Sequence, residues 1–317
     1  MRGLYARKEY WAGLADDPAA RHLCLARSLA IQHPTWTFCS YTAALLHGFP
    51  VGYHLLDEVH VVLPPSAHAR SREGLVQHVS RHEIQHVEVS GVRVTPAIQA
   101  AADCMRAARL RDALPIADAA LRAAGIPREA FVACVAVYAR GRCGVDRALR
   151  CAHYADGLAE SGGESVARAA MIEEGFQIPR LQVEFADPLN PGHAIRVDHL
   201  FTRHDGSLVA GELDGMGKYL DENLLEGRST AEALVLERQR ESHINALGIP
   251  VARYRYKDLQ EPGRLAAVLD AFGVPRVSRR ERSREIPAMS AQQVIDAFNA
   301  YRPILRCDIA RYGARAA

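Results

Sequence analysis

The sequence predicts a two-domain protein of mixed α/β class. An α+β region covers residues 1–157 and a second α/β region covers 158–275, followed by a basic linker and a C-terminal helix over 276–317. Three observations carry this. Segments of period-two alternation and segments of helical spacing both occur in each half. A glycine pair in LAESGG, residues 158–163, loosens the chain between them. The second half then runs helix, three strands, helix, strand, an order that closes a mixed sheet of about four strands.

At 317 residues the chain can build two hydrophobic cores, and 49% hydrophobic with 24% charged residues describes an ordinary globular protein. A net charge of +2 gives no global basic field, so any phosphate-binding surface must be local. Seven cysteines without a C-x-x-C pair argue against a disulfide framework or a zinc finger. Cys104, Cys134, Cys143 and Cys151 fall in helical patterns and read as small buried apolar residues. No long apolar run marks a membrane span and no apolar segment marks a signal peptide, so a cytoplasmic protein with no membrane partner is expected.

ARHLCLARSLAIQH carries Leu23, Ala26, Leu29 and Ala30 at helical spacing, and Ser40 reads as the cap of YTAALLHGF, which Gly48 and Pro50 end. DEVHVVLPP, GLVQHV and VEVSGVRVTP read as strands. His78, His82 and His86 recur every four residues, but in β-like surroundings they read as exposed sheet histidines rather than metal ligands. Residues 96–157 are helical, with Pro96 in a first turn, Gly125 as a C-cap and Pro127 opening the next helix. Asp103, Asp118 and Asp156 on these helices read as solvated or capping.

Ser161 and Glu164 have capping-box spacing. Glu164 therefore has two compatible readings, a helix cap and an acid at the edge of a site. Ile195–Thr202 and Ser207–Leu213 read as a hairpin around His204-Asp205-Gly206. Asp198 interrupts an apolar strand. Glu212 and Asp214, two residues apart, leave one face of the next strand, and Lys218 follows Gly215 and Gly217. Carboxylates on strands that also read as core are costly to bury without a cation, and a divalent metal suits them. Asp198 and Glu212 are the expected ligands, with Mg²⁺ or Mn²⁺ as the cofactor.

In the helix LVLERQRESHINALG, Leu236, Ile244 and Leu247 define an apolar stripe that Arg240 enters, with Glu237 at its margin. Either Arg240 pairs with Glu212 or Glu237, or it meets a phosphate. Arg253 and Arg255 of VARYRY share a strand face and are further nucleic-acid-binding candidates. Arg276, Arg279, Arg280, Arg282 and Arg284 form a basic run that reads as a solvated linker, with contact to nucleic acid as the alternative, and Ser290 caps a last helix.

Residues 160–257, through Glu164, Asp198 and GELDGMGKY, resemble the PD-(D/E)XK nuclease superfamily, in particular its Vsr-like branch. SYTAALLHGFP and VTPAIQAAAD resemble the AbiEi-type antitoxin-like region found before such domains. The resemblance implies a restriction-endonuclease-like αβββαβ core. It also implies a catalytic set of Asp198, Glu212, Lys218, Glu164 and Asp214, and Mg²⁺-dependent hydrolysis of nucleic acid, DNA favoured over RNA. Asp214 stands where the acid-x-Lys pattern has lysine, and Lys218 is the cation placed to act in its stead. Relatives of the N-terminal region usually begin with a winged helix. Met1–Tyr5 reads as the tail of one: either the reader helix is lacking or the chain starts late, so the sequence-specific DNA reading of such relatives is not assumed for this chain.

Two functions remain open from the sequence. One is a metal-dependent nuclease in a toxin–antitoxin or phage-defence setting. The other is a non-catalytic regulator, with a degenerate nuclease fold that binds nucleic acid or protein. A protein partner or a homo-oligomer is compatible with both.

Overall fold

The computed structural model describes residues 4–80, 83–214, 230–284, 290, 292–296 and 299–300. The chain divides into two compact units, Met1–Gly157 with Ala288–Ala317, and Leu158–Pro287. Both are mixed α/β with a mixed sheet.

The first unit starts with helices α1 (Lys8–Gly13) and α2 (Pro18–Gln32). Asp17 caps α2 by accepting from the Ala20 amide at 2.8 Å, and Pro18 starts it where no amide donor is needed. Then come β1 (Thr37–Phe38), α3 (Ser40–Leu46), β2 (Val59–Leu63), β3 (Leu75–Val79), β4 (Val87–Val89) and β5 (Val92–Val94). The sheet order is β3-β2-β1-β5-β4, with β2–β3 and β1–β5 parallel. Phe38, Val59, Val61 and Val94 form its core with Ala43 and Leu46 of α3. Four helices follow: α4 (Ala97–Ala107), α5 (Leu110–Ala124), α6 (Arg128–Ala139) and α7 (Val145–Tyr154). Gly125 ends α5 at φ 61°, as its position suggested.

Several local expectations are corrected in this unit. Cys39, not Ser40, holds the cap position of α3; Ser40 adopts φ 51° and hydrogen-bonds the Cys104 thiol. Pro96 stands one place before the first turn of α4. Cys143 is exposed because it lies in the α6–α7 connection rather than in a helix. Asp118 is buried, at 1% exposure, and accepts the Asp156 amide at 2.8 Å, tying the end of the helical layer to the middle of α5. Asp103 is ion-paired with Arg106 and Arg142. His78 contacts His60 at 3.0 Å, and His86 lies 3.2 Å from Arg93. His82 lies outside the described residues.

The second unit runs α8 (Gly162–Glu173), β6 (Arg180–Ala186), β7 (Ala194–Thr202), β8 (Leu208–Asp214), α9 (Thr230–Ala246), β9 (Val251–Arg255), α10 (Tyr256–Gln260), α11 (Arg264–Ala271) and α12 (Arg279–Arg284). The sheet order is β6-β7-β8-β9, antiparallel except for the parallel β8–β9 pair. A helix between β8 and β9 is what a parallel return requires. Two apolar layers sandwich the sheet. Met171, Phe176, Phe201, Val209, Tyr254 and Leu265 pack with α8 and α11, while Val197, Leu200, Ala210 and Val251 pack with Ile244 of α9.

Leu236 departs from the expected apolar stripe of α9: it is 46% exposed, whereas Ile244 is buried. Among the described side chains, the stripe meets the sheet at Ile244 and Leu247, toward the C-terminal end of the helix. The basic run is not a free linker at its start. Arg276 pairs with Asp270 at 2.6 Å and stacks over Phe176, and Arg282 donates to the Phe176 carbonyl. Among the described residues no helix is long and apolar enough to cross a membrane.

Candidate active site

The β7–β8 hairpin positions the acids. Its turn is closed by Arg203 N–H donating to Ser207 at 2.8 Å, with Gly206 at φ 84° and the Asp205 carboxylate accepting the Ser207 amide. Pairing runs from Thr202–Leu208 to His199–Gly211. The ladder stops there; Asp198 and Glu212, the next residue on each strand, line one cavity, and the charge of Asp198 is felt by Glu212.

At Asp198 the strand changes phase. The β6–β7 ladder pairs Leu181 with His199 and Val183 with Val197, passing over Gln182 and Asp198, and Gln182 adopts φ 51°. Consequently Val197 and Leu200, three residues apart, join the same apolar layer, while Phe201 joins the other. An irregularity of this kind re-aims a side chain. Asp198 is half-buried and lines an open cavity of about 530 Å³ together with Glu212, Asp214, Glu237, Arg240 and Arg253.

Glu212 is 4% exposed. One carboxylate oxygen, Oε2, accepts from Arg240 Nη2; the other, Oε1, is buried and makes no hydrogen bond. Burial raises the Glu212 pKa from 4.5 to about 7, and the Asp198 charge adds to the rise while Arg240 opposes it. Arg240 also donates to the Arg196 carbonyl at 2.6 Å and to Glu237 at 3.3 Å. Burial disfavours its charge, but Glu212 and Glu237 more than offset this and raise its pKa.

Arg253 lies beside Glu212 in the parallel β8–β9 register and reaches Glu237 at 2.8 Å, Glu241 at 2.9 Å and Asp214 at 3.9 Å. Arg255 instead serves the start of α10, where its amide donates to Asp258 at 2.9 Å. Glu164 caps α8: it accepts from Ser161 Oγ at 2.7 Å, and from the Glu160 amide and Gln182 Nε2. Neither Glu164 nor Arg255 is among the cavity's lining residues. Lys218 lies outside the described residues.

One pair escaped the sequence. Asp187, in the β6–β7 connection, accepts from His243 Nδ1 at 2.9 Å and from the amides of Leu189 and Asn190. Burial works against the Asp187 charge, but those hydrogen bonds bring its pKa below the usual value. Both residues line the cavity. His243 follows Arg240 by one helical turn, a spacing that was legible, but its partner is 56 residues away.

On the fit to a metal, no group of three or more His, Cys, Asp or Glu side chains among the described residues forms a cage for an ion. Asp198 and Glu212 are two carboxylates, and Glu212 Oε1 is a buried acceptor with no donor. That donor set suits a hard cation that takes its remaining ligands from water and phosphate, as Mg²⁺ does.

Fold and site together define a two-unit mixed α/β protein with a cavity of acids and arginines on its second sheet. The chain belongs to the family of the uncharacterized protein MT2308 of Mycobacterium tuberculosis strain CDC 1551 / Oshkosh and the uncharacterized protein Rv2248 of strain ATCC 25618 / H37Rv. Each is 32% identical to it over 234 residues, 72% of this chain and 78% of the relative. No family model matches the chain, and no solved structure matches it.

Proposed function

We propose that the unit Leu158–Pro287 is a divalent-metal-dependent hydrolase of nucleic-acid phosphodiester bonds, built on a PD-(D/E)XK-type core. The observation that carries this reading is the Glu212 carboxylate, buried beside the cavity it shares with Asp198 and with Oε1 lacking any donor. The succession of α8, three antiparallel strands, α9 and a parallel fourth strand supports it. So does the open, polar cavity into which the strand ends lead.

Asp198 and Glu212 hold Mg²⁺ or Mn²⁺, and Asp214 adds negative charge beside them. The metal, when bound, supplies an activated water and charge stabilisation at the leaving oxygen. Arg240 and Arg253 bring cations to the rim for phosphate oxygens, which bidentate guanidinium groups suit. Lys218 takes the place of the patterned lysine, and Glu164 holds α8 against the sheet edge. Nucleic acid is the substrate, DNA before RNA. A role in toxin–antitoxin or phage defence is part of the same proposal.

One observation favours a second reading. Arg240 already neutralises Glu212 from within the protein. Together with Asp214 at the lysine position, that suits a non-catalytic module that binds nucleic acid or a protein as a regulator. Two measurements separate the readings: calorimetric titration with Mn²⁺ of wild type and Asp198→Ala, and cleavage of single- and double-stranded DNA and RNA with Mg²⁺ or Mn²⁺. Site-specific Mn²⁺ binding with cleavage, both lost in Asp198→Ala, supports the hydrolase. Equal Mn²⁺ titrations of the two proteins and no cleavage would sink it.

A further inference from the structure

Asp187 and His243 line the cavity of the second unit, and neither has a part in the roles given above. The Asp187 carboxylate is anchored on its own connection. It accepts the amides of Leu189 at 2.9 Å and Asn190 at 3.1 Å, and the Asp187 amide donates to the His193 carbonyl at 3.0 Å. Both of its carboxylate oxygens lie 2.9 Å from His243 Nδ1. An ionised carboxylate only accepts, so Nδ1 is the donor of this pair.

The other ring nitrogen is the free one. Nε2 has no hydrogen bond among the described residues and is not a buried atom, and the His243 side chain is 25% exposed. With the proton on Nδ1, the neutral ring carries its lone pair at Nε2. Tying the β6–β7 connection to α9 takes one nitrogen and leaves the second open on the cavity wall.

The ring is also fixed in place. Ile244, the next residue, is buried against the sheet, which sets the rotation of α9 about its axis. Arg240, one turn before His243, is seated on Glu212 and on the Arg196 carbonyl. Residues at this spacing on a helix have Cβ atoms about 5–6 Å apart. His243 therefore stands one helical turn from the arginine that touches the buried acid of the site.

We infer that His243 is the proton acceptor of the proposed hydrolase, with Nε2 taking the proton of the attacking water, and that Asp187 is the positioning residue that fixes its tautomer. The assignment rests on the hydrolase reading. The water gives one proton to Nε2 and its oxygen bonds to phosphorus. The bond from phosphorus to the leaving oxygen breaks; that oxygen keeps the electron pair and takes a proton from solvent. Nε2 then returns its proton to solvent, so one water is consumed for each phosphodiester cleaved. A base oriented by a carboxylate on its other nitrogen is suited to this work.

The test uses the full chain and the same panel of single- and double-stranded DNA and RNA with Mn²⁺. His243→Gln should lose about a hundredfold or more in kcat, with KM and the Mn²⁺ titration as in wild type. Added imidazole should restore cleavage to His243→Ala. Glu212 titrates near 7, so this rescue isolates the histidine where a pH profile does not. Nitrogen-15 spectra of the ring without metal give a readout apart from activity. Wild type should hold the proton on Nδ1, and Asp187→Asn, whose amide donates to Nδ1, should move it to Nε2 and lower kcat. Asp187→Asn is nearly isosteric and decides the matter if His243→Gln does not fold. Cleavage by wild type that His243→Gln retains, a loss that imidazole does not restore, or a wild-type ring protonated on Nε2 overturns the assignment and leaves the hydrolase standing. No cleavage of any substrate by wild type overturns both.

Discussion

Arg240 Nη2 donates to Glu212 Oε2, so a helix cation from α9 is seated on the most deeply buried acid of the second sheet. The same guanidinium touches Glu237 and the Arg196 carbonyl, and therefore ties helix, strand and acid together. Whatever competes for Glu212 must compete with this arginine.

Arg240→Met should destabilise the protein by on the order of 3 kcal/mol at pH 8, since it strands the buried Glu212 without its cation, whereas Glu237 keeps Arg253. At pH 5 the loss should be smaller, because Glu212 then takes up a proton. Urea unfolding at the two pH values checks this, and equal losses would contradict it. Under the hydrolase reading, the same variant should bind Mn²⁺ more tightly.

Glu212→Gln should remove a pH dependence. The Glu212 pKa rises from 4.5 to about 7 on folding, so the folded state holds the proton more firmly than the unfolded state. Stability is then fully present below pH 4.5 and is lost as pH rises toward 7, by roughly 3 kcal/mol. The variant should gain on wild type over that window. Parallel melting curves from pH 4.5 to 8 would refute the assignment. Under the hydrolase reading, Mn²⁺ should close the gap at pH 8 and the variant should not cleave.

Ser90 and Gly91 join β4 to β5 with φ 49° and 74°, the two-residue turn that favours asparagine then glycine. Ser90→Asn should stabilise by about 0.5 kcal/mol, and Gly91→Ala should cost about 1 kcal/mol, from the left-handed backbone alone. Thermal melts of both variants test the signs.

Tyr254→Phe should cost about 1–3 kcal/mol. Its hydroxyl bonds His199 Nδ1 at 2.7 Å, and both side chains are buried, so removal leaves a ring nitrogen unmatched. A variant as stable as wild type would mean the ring is satisfied otherwise.

The β7–β8 hairpin was legible because alternation and turn chemistry agree within a few residues. The ion pair of Arg240 with Glu212 and Glu237 was legible as one of two choices, because helical phase put a charge on a buried face. The skipped rung at Gln182 was not legible, since alternation read alone assumes an unbroken period. Asp187 with His243, and Asp118 with the Asp156 amide, were missed for another reason. Each joins positions dozens of residues apart, and no local pattern marks either partner. Leu236 was misjudged because helical phase says which side a residue takes but not how far the helix stays in contact.

The skipped rung at Gln182 and Asp198 interrupts the pairing of β7 with β6 without shifting its register. The outer arm of β7, Ala194–Val197, is matched to β6, and its inner arm, His199–Thr202, is matched to β8 as well. A one-residue slip of the outer arm would turn its valine and isoleucine outward, whereas the inner arm is held by a neighbouring strand on each side. The residues that concentrate charge keep their alignment from β8 and β9.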